Sequence, residues 1–147
     1  MNPHSGWRRT AALVLSAVLA AGLAGCAESA DPAESEPRAV TGEVSLGSDG
    51  VQSITLVSGD DYRFVPDAFT VTPGQVRVTL NNEATQLTHS FEYPSGRSPQ
   101  DIEESIPVVA PAESDTIEFS VSTPGEYAFI CSFHEPQGHA GVMTVAG

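Results

Sequence analysis

The chain has 147 residues, with 19 acidic residues against 6 basic ones and a formal net charge of −13 at pH 7. Nucleic-acid binding is excluded, because contacts with phosphates need a basic surface. Beyond the amino-terminal segments described next, about 100 residues remain to form a hydrophobic core, which is enough for one compact domain and too few for two.

Residues 1–25 have the pattern of an export signal. Arg8 and Arg9 precede an apolar run from Ala11 to Leu23, which is followed by small residues. A basic flank and an apolar core too short for a comfortable membrane span are typical of a cleaved signal peptide. We therefore expect the chain to leave the cytoplasm.

Cys26 directly follows Leu-Ala-Gly at the end of this run. The four residues resemble the lipobox of bacterial lipoproteins, and the resemblance implies cleavage before Cys26 and attachment of lipid to it. The alternative is an ordinary signal peptide with a cysteine there by chance. The first interpretation predicts an extracytoplasmic protein that lipid anchors to the outer face of the bacterial cell membrane.

Residues 26–48 contain many acidic and small residues and almost no bulky apolar ones. Such a segment buries too little surface to offset its ordering entropy, so we predict a flexible acidic linker and a folded domain over residues 49–147. After cleavage, four arginines against 19 acidic residues leave a formal charge of −15. This charge favours solubility, and it also favours docking with a partner that carries a basic patch.

Short segments that alternate apolar and polar residues and contain many β-branched residues predict strands buried on one face. They are residues 51–57, 69–71, 76–80, 116–121, 126–130 and 142–145. Pro-Gly pairs at 73–74 and 124–125 separate them. We expect an all-β sandwich of about seven or eight strands.

Residues 94–111 depart from this pattern. Ser98 is suited to cap a short helix with Pro99 at its first position and acidic residues in its first turn. We predict a short helix or a loop crossover on the flank of the sandwich.

Candidate metal ligands lie close together near the carboxyl end. Cys131, His134 and His139 fall within nine residues, and His89 lies upstream, at a position that a second strand would bring alongside them. A single buried cysteine is usually just a small hydrophobe, but here every histidine after the signal segment belongs to the set. Thiolate and imidazole suit soft or borderline ions such as copper, and zinc accepts the same donors.

The sequence around these ligands resembles the cupredoxins, and most closely their plastocyanin and amicyanin group. The matching segments are residues 69–74, 76–78, 81–82, 89–91, 124–134 and 141–145. The resemblance implies a Greek-key sandwich and a monomeric electron carrier, not an enzyme. It also implies one copper ion, in a type 1 or perturbed type 1 site, bound by His89, Cys131 and His134.

The fourth ligand departs from the family pattern, in which it is most often a weakly bound Met. In the ungapped alignment His139 occupies that position. In the alternative, His139 is an equatorial ligand and Met143 is axial, which leaves His134 without a role. We favour His139, because Met143 alternates with its neighbours in the last predicted strand and belongs in the core.

The sequence also suggests roles for residues near the ligands and in the core. Asn81 and Asn82 are candidates for tying the ligand loops together, or are turn residues. Phe133 is a candidate for an apolar collar around the metal. Tyr127 and Phe129 are assigned to the core, and the resemblance makes His134 the exit for electrons.

The resulting hypothesis is a lipid-anchored carrier of single electrons between membrane-associated redox proteins. The main alternative is a protein that stores, delivers or senses copper, which a second histidine in the ligand loop would suit. Catalysis at an open copper position ranks last, since no separate acid or base is visible.

Overall fold

The computed structural model describes residues 39–147. The predicted signal segment, Cys26 and most of the predicted linker lie outside the described residues. Within them, no helix is long and apolar enough to cross a membrane. The strands of this part are β1 Thr41–Gly42, β2 Ser45–Leu46, β3 Gln52–Ser58, β4 Phe64–Val65, β5 Ala68–Val71, β6 Gly74–Asn82, β7 His89–Phe91, β8 Ile106–Val109, β9 Ser114–Val121, β10 Gly125–Ile130 and β11 Ala140–Val145.

The strands form two main sheets and a small third one. One sheet has the order β1-β5-β11-β10, the other has the order β2-β3-β6-β9 with β4 on β3, and β7 pairs with β8. The six predicted strands are confirmed as β3, β5, β6, β9, β10 and β11. The all-β fold class is therefore confirmed, although three strands of only two residues raise the number above the predicted seven or eight.

Alternating residues of the long strands build the core. In β3 and β6 the apolar side chains Leu56, Val78 and Leu80 are fully buried, and Tyr127 and Phe129 of β10 join them as predicted. Burying one large apolar side chain stabilises the fold by about 1.5–3 kcal/mol. The same alternation buries Cys131, the residue that follows β10, and so delivers a thiol to one end of the core.

The folded domain begins before Asp49, where the sequence analysis placed its start. β1 pairs in parallel with β5, and β2 pairs with β3. The Val40 N–H also donates to Asp67 Oδ1 at 2.6 Å. Strands of two residues are too short to show alternation, so main-chain pairing and not side-chain pattern places residues 41–46 in the domain.

The crossover after β7 is a loop, and the helix proposed to start at Ser98 is absent from it. Gln100 explains why, because its side chain donates to Ser120 O at 3.0 Å and accepts from Ser122 N–H at 3.0 Å. Ile102 is buried in the core. These tertiary contacts hold the segment against the end of β9.

Candidate metal centre

Four side chains converge at one end of the sandwich. His89, Cys131, His134 and His139 each offer one ligand atom, and these atoms all lie within 4.8 Å of one another. Cys131 Sγ is 3.5 Å from His134 Nδ1 and 3.9 Å from His89 Nδ1. The structure therefore brings together all four residues that the sequence singled out.

Two parts of the chain deliver these side chains. His89 is the first residue of β7, while the other three lie in the loop between β10 and β11. Within this loop His134 N–H donates to Cys131 O at 3.0 Å, and Cys131 N–H donates to His139 O at 3.0 Å. A turn of 3-10 helix, Glu135–Gln137, fills the remainder. The loop is thus a closed, hydrogen-bonded unit.

The last residue of β3 and the residue that follows it contact the Nε2 atoms of two histidines. His89 Nε2 lies 2.9 Å from the carbonyl oxygen of Gly59, and His139 Nε2 lies 3.1 Å from Ser58 Oγ. Each contact leaves Nδ1 as the nitrogen available to a metal. His139 Nδ1 is buried and has no hydrogen-bond partner in the described part of the chain. A buried donor atom without a partner fits a metal site.

Burial and mutual repulsion keep these imidazoles neutral. The pKa of His139 is lowered to about 3, chiefly by burial and also by the nearby His89 and His134, against a smaller opposing effect of the Arg63 backbone. Burial also lowers the pKa of His89, although its bond to Gly59 opposes the effect. Metal binding needs unprotonated imidazole, so His89 and His139 are ready to bind a metal at neutral pH.

The sulfur of Cys131 accepts two hydrogen bonds from one residue. Ser90 donates to Sγ through its backbone N–H at 3.4 Å and through its hydroxyl at 3.6 Å. Ser132 N–H in turn donates to Ser90 Oγ at 2.8 Å. Hydrogen bonds to a ligating thiolate withdraw charge from the sulfur and tune the metal it binds.

Met143 lies in the core, away from this cluster. It pairs with Tyr127 in the β10–β11 register, four residues before Cys131, which corresponds to about 13 Å along a strand. Its sulfur accepts a hydrogen bond from the Tyr93 hydroxyl at 3.4 Å. The alternative in which Met143 is axial is therefore incompatible with this register.

His134 is the least buried of the four candidate ligands. The ring of Tyr62 packs against it with a centroid separation of 4.9 Å. Phe133 is 50% exposed, so it contributes to the surface beside His134 and not to a buried collar. The site thus reaches solvent through one imidazole.

Asn82 ties together the loops around His89, as predicted, whereas the Asn81 amide nitrogen donates only locally, to Glu83 Oε1 at 3.2 Å. The Asn82 amide nitrogen donates to Leu87 O and to Val109 O, both at 2.8 Å, and its amide oxygen accepts from Ala84 N–H at 2.9 Å. Ser58, Gly59 and Tyr62 were missed by sequence analysis. Their role depends on the chain between β3 and β4 folding over the site, and no local motif signals it.

The fold and the donor set define a class of protein, a β-sandwich with a buried thiol and imidazole site for a soft metal, and copper is the ion that this donor set fits. Residues 15–145 match the Cupredoxin-like domain family. The chain belongs to the cupredoxin family.

Plastocyanins are among its relatives. The Arabidopsis thaliana plastocyanin minor isoform is 30% identical over 112 residues, which are 73% of this chain and 66% of that protein. The chain thus spans slightly less than two thirds of that relative. The Rumex obtusifolius plastocyanin is 34% identical over 94 residues, which are 60% of this chain and 95% of that protein.

Solved auracyanin structures have the same fold. Reduced auracyanin from Roseiflexus castenholzii superposes with a TM-score of 0.58 at 26% identity, over 65% of this chain and 97% of that one. Auracyanin A from Chloroflexus aurantiacus, described as a "blue" copper protein, gives a TM-score of 0.55 at 19% identity, over 66% of this chain and all of that one. At that identity the second likeness concerns the fold alone.

Proposed function

We propose that this protein binds one copper ion through His89, Cys131, His134 and His139 and serves as a carrier of single electrons. The observation that carries the proposal is the convergence of these four donors at one end of the sandwich. Copper, when bound, supplies the electron that is exchanged. A set with both thiolate and imidazole suits both of its oxidation states.

The protein residues around the site have three tasks in this proposal. The closed loop and the Gly59 and Ser58 contacts hold the ligands in place, which limits rearrangement when an electron moves. Ser90 lowers the charge on the Cys131 sulfur. His134, with its partial exposure, conducts the electron to the surface.

His139 in the position of a weak ligand would make the site unusual. A nitrogen donor holds Cu(II) more tightly than a thioether does, so it lowers the reduction potential and favours a more tetragonal geometry. We therefore expect a greener or redder colour than that of ordinary blue copper. Four protein donors also leave no open position for a substrate, which is why we assign the protein no catalysis.

Visible absorption and paramagnetic resonance of the Cu(II) protein test this proposal. We expect an intense thiolate-to-copper band that disappears on reduction, returns on oxidation and is absent from Cys131→Ser. In His139→Met the potential should rise and the colour should shift toward blue. A colourless copper complex of the unmodified protein would rule out ligation by Cys131, and an unchanged spectrum in His139→Met would rule out His139.

Copper storage, delivery or sensing is the second candidate, and the buried extra imidazole of His139 favours it. Tight binding of Cu(II) with slow electron exchange would be tolerated in such a role. Measuring electron self-exchange and the transfer of copper to a chelator separates the two. Slow exchange with ready transfer would replace electron transport by copper handling.

We further propose that lipid on Cys26 anchors the protein to the outer face of the bacterial cell membrane. The support is the Leu-Ala-Gly-Cys sequence after the apolar run. Mass spectrometry of the amino-terminal peptide should find an acylated Cys26, and Cys26→Ser should release the protein from the membrane fraction. An unmodified Cys26 would contradict the anchor.

We propose that the protein is a monomer. Its partners in this proposal are redox proteins with a basic patch, because the formal charge after cleavage is strongly negative. A cationic redox reagent should then exchange electrons with the copper protein faster than an anionic one of similar potential. Added salt should reduce the difference, since it screens exposed charges. Equal rates at low salt would argue against electrostatic docking.

A further inference from the structure

One connection of the sandwich contacts all three histidines of the site. We name the segment from Ser58 to Phe64, which joins β3 to β4, the β3–β4 connection. Its Gly59 carbonyl meets His89 and its Tyr62 ring meets His134. The two ends of the connection, Ser58 and Phe64, both contact His139.

The two end residues form a cradle for the His139 ring. Ser58 and Phe64 are paired in the β3–β4 register and are almost completely buried. The Phe64 ring packs on the imidazole with a centroid separation of 4.1 Å, and Ser58 Oγ lies 3.1 Å from Nε2. Phe64 thus fixes the plane of the imidazole ring, and Ser58 fixes the rotation of the imidazole.

We propose that Ser58 is a positioning residue for His139. In this arrangement Nε2–H donates to Ser58 Oγ, and the lone pair of Nδ1 is left for the metal. The inference rests on the proposed function, in which His139 is a ligand. Partners of the second nitrogen of a ligating histidine set its tautomer and orientation, and losing one typically reduces metal affinity about 10–100-fold.

The opposite tautomer explains the contacts less well. If Nδ1 carried the proton, Ser58 would donate to Nε2, and a buried N–H without an acceptor would remain at Nδ1. An unsatisfied buried donor costs about 1–3 kcal/mol. With the proton on Nε2, the donor is satisfied by Ser58 and the free lone pair is the group that a metal needs.

A double-mutant cycle with Ser58→Ala and His139→Met tests the inference on the copper-loaded protein. We expect Ser58→Ala to reduce Cu(II) affinity about 10–100-fold and to change the paramagnetic resonance spectrum of the bound Cu(II). In the His139→Met background, the same substitution should change neither. Ser53→Ala, in the same strand, is the matched control and should resemble the unmodified protein.

Nitrogen NMR of the metal-free protein gives a readout that does not depend on copper. The His139 ring should carry its proton on Nε2 in the unmodified protein and should lose this preference in Ser58→Ala. Ser58→Thr keeps the hydroxyl and should restore it. A Nδ1–H tautomer in the unmodified protein, or unchanged copper affinity in Ser58→Ala, would overturn the inference.

The two proposals fail in distinguishable ways. If His139→Met leaves the copper spectrum unchanged, then His139 is not a ligand and the proposed site is wrong. If His139→Met changes the spectrum while Ser58→Ala does not, the ligand assignment survives and only the positioning role of Ser58 is rejected.

Discussion

The backbone N–H of Cys131 donates to the carbonyl oxygen of His139 at 3.0 Å. This bond joins the first and last candidate ligands of the loop, so the geometry of the site depends on how the chain turns between them. The turn ends at Gly138, which has a φ of 85° and whose N–H donates to Glu135 O. Backbone strain at Gly138 should therefore change the positions of the metal ligands.

Gly138→Ala should destabilise the protein by about 1 kcal/mol, because the left-handed conformation is unfavourable for a residue with a Cβ. An added Cβ would meet no atom within 4 Å, so the cost is one of backbone conformation. Chemical denaturation measures the loss. The Cu(II) resonance spectrum should change as well, because the substitution strains the loop that holds three donors.

Gly50→Ala is the matched control for this prediction. Gly50 has a φ of 80° and also has no atom within 4 Å of an added Cβ, but it lies in the turn between β2 and β3. It should lose a similar free energy of unfolding and leave the copper spectrum unchanged. Identical spectra for the two variants would show that the loop backbone does not determine the site.

Gly141 allows the last strand to pass close to the core. A Cβ there would collide with the Phe129 ring and with the backbone carbonyl of Asp67. Gly141→Ala should therefore cost about 1–3 kcal/mol, as overpacked cores do, and thermal denaturation measures this. Gly147→Ala, whose Cβ would lie 3.6 Å from Pro124, should be close to neutral. Equal stability of the two variants would contradict the packing argument.

Sequence predicted the parts of the fold in which side-chain pattern and structure coincide. The alternating segments of β3, β6 and β10 were found, and His89, Cys131, His134 and His139 were predicted to lie together. β7 was missed because His89, Ser90 and Phe91 are all buried, so a strand of three residues shows no alternation. Of the two alternatives predicted after Ser98, the loop is present and the helix is not, because side-chain bonds of Gln100 hold the segment on β9.

The surroundings of the histidines were beyond sequence reasoning for a physical reason. Ser58 and His139 are separated by 81 positions in the chain, and their contact exists only after both sheets have formed. A serine at the end of a strand carries no local signal of such a role. The ligands have a recognisable spacing, while the residues that orient them do not.

The metal-free protein should become less stable as the pH falls from 7 to 5. The pKa of His139 is lowered from its ordinary 6.5 to about 3 by burial and by the neighbouring histidines, and burial also lowers that of His89. Between pH 6.5 and about 3 the unfolded chain therefore binds a proton at His139 that the folded chain does not. The free energy of unfolding then falls by at most about 1.4 kcal/mol per pH unit for each such histidine.

Urea denaturation across this pH range measures the effect before the carboxylates begin to titrate. In His139→Met the dependence on pH should be shallower, because one of the two histidines is gone. The pKa of Asp60 is lowered by its bonds to Thr85, so its contribution is lost only in more acidic solution. A slope that is the same with and without His139 would contradict the assignment.

Met143→Leu distinguishes a core residue from a ligand. Met143 is completely buried and accepts a hydrogen bond from Tyr93 O–H, so the substitution should cost about 1–3 kcal/mol by leaving that hydroxyl unpaired. Adding Tyr93→Phe removes the unpaired donor and should recover much of the loss. Throughout this series the reduction potential should stay constant, because the sulfur of Met143 faces Tyr93 and not the four donors. A potential that moves with Met143→Leu as far as with His139→Met would return Met143 to the ligand set, and electrochemistry of the copper protein decides between the two.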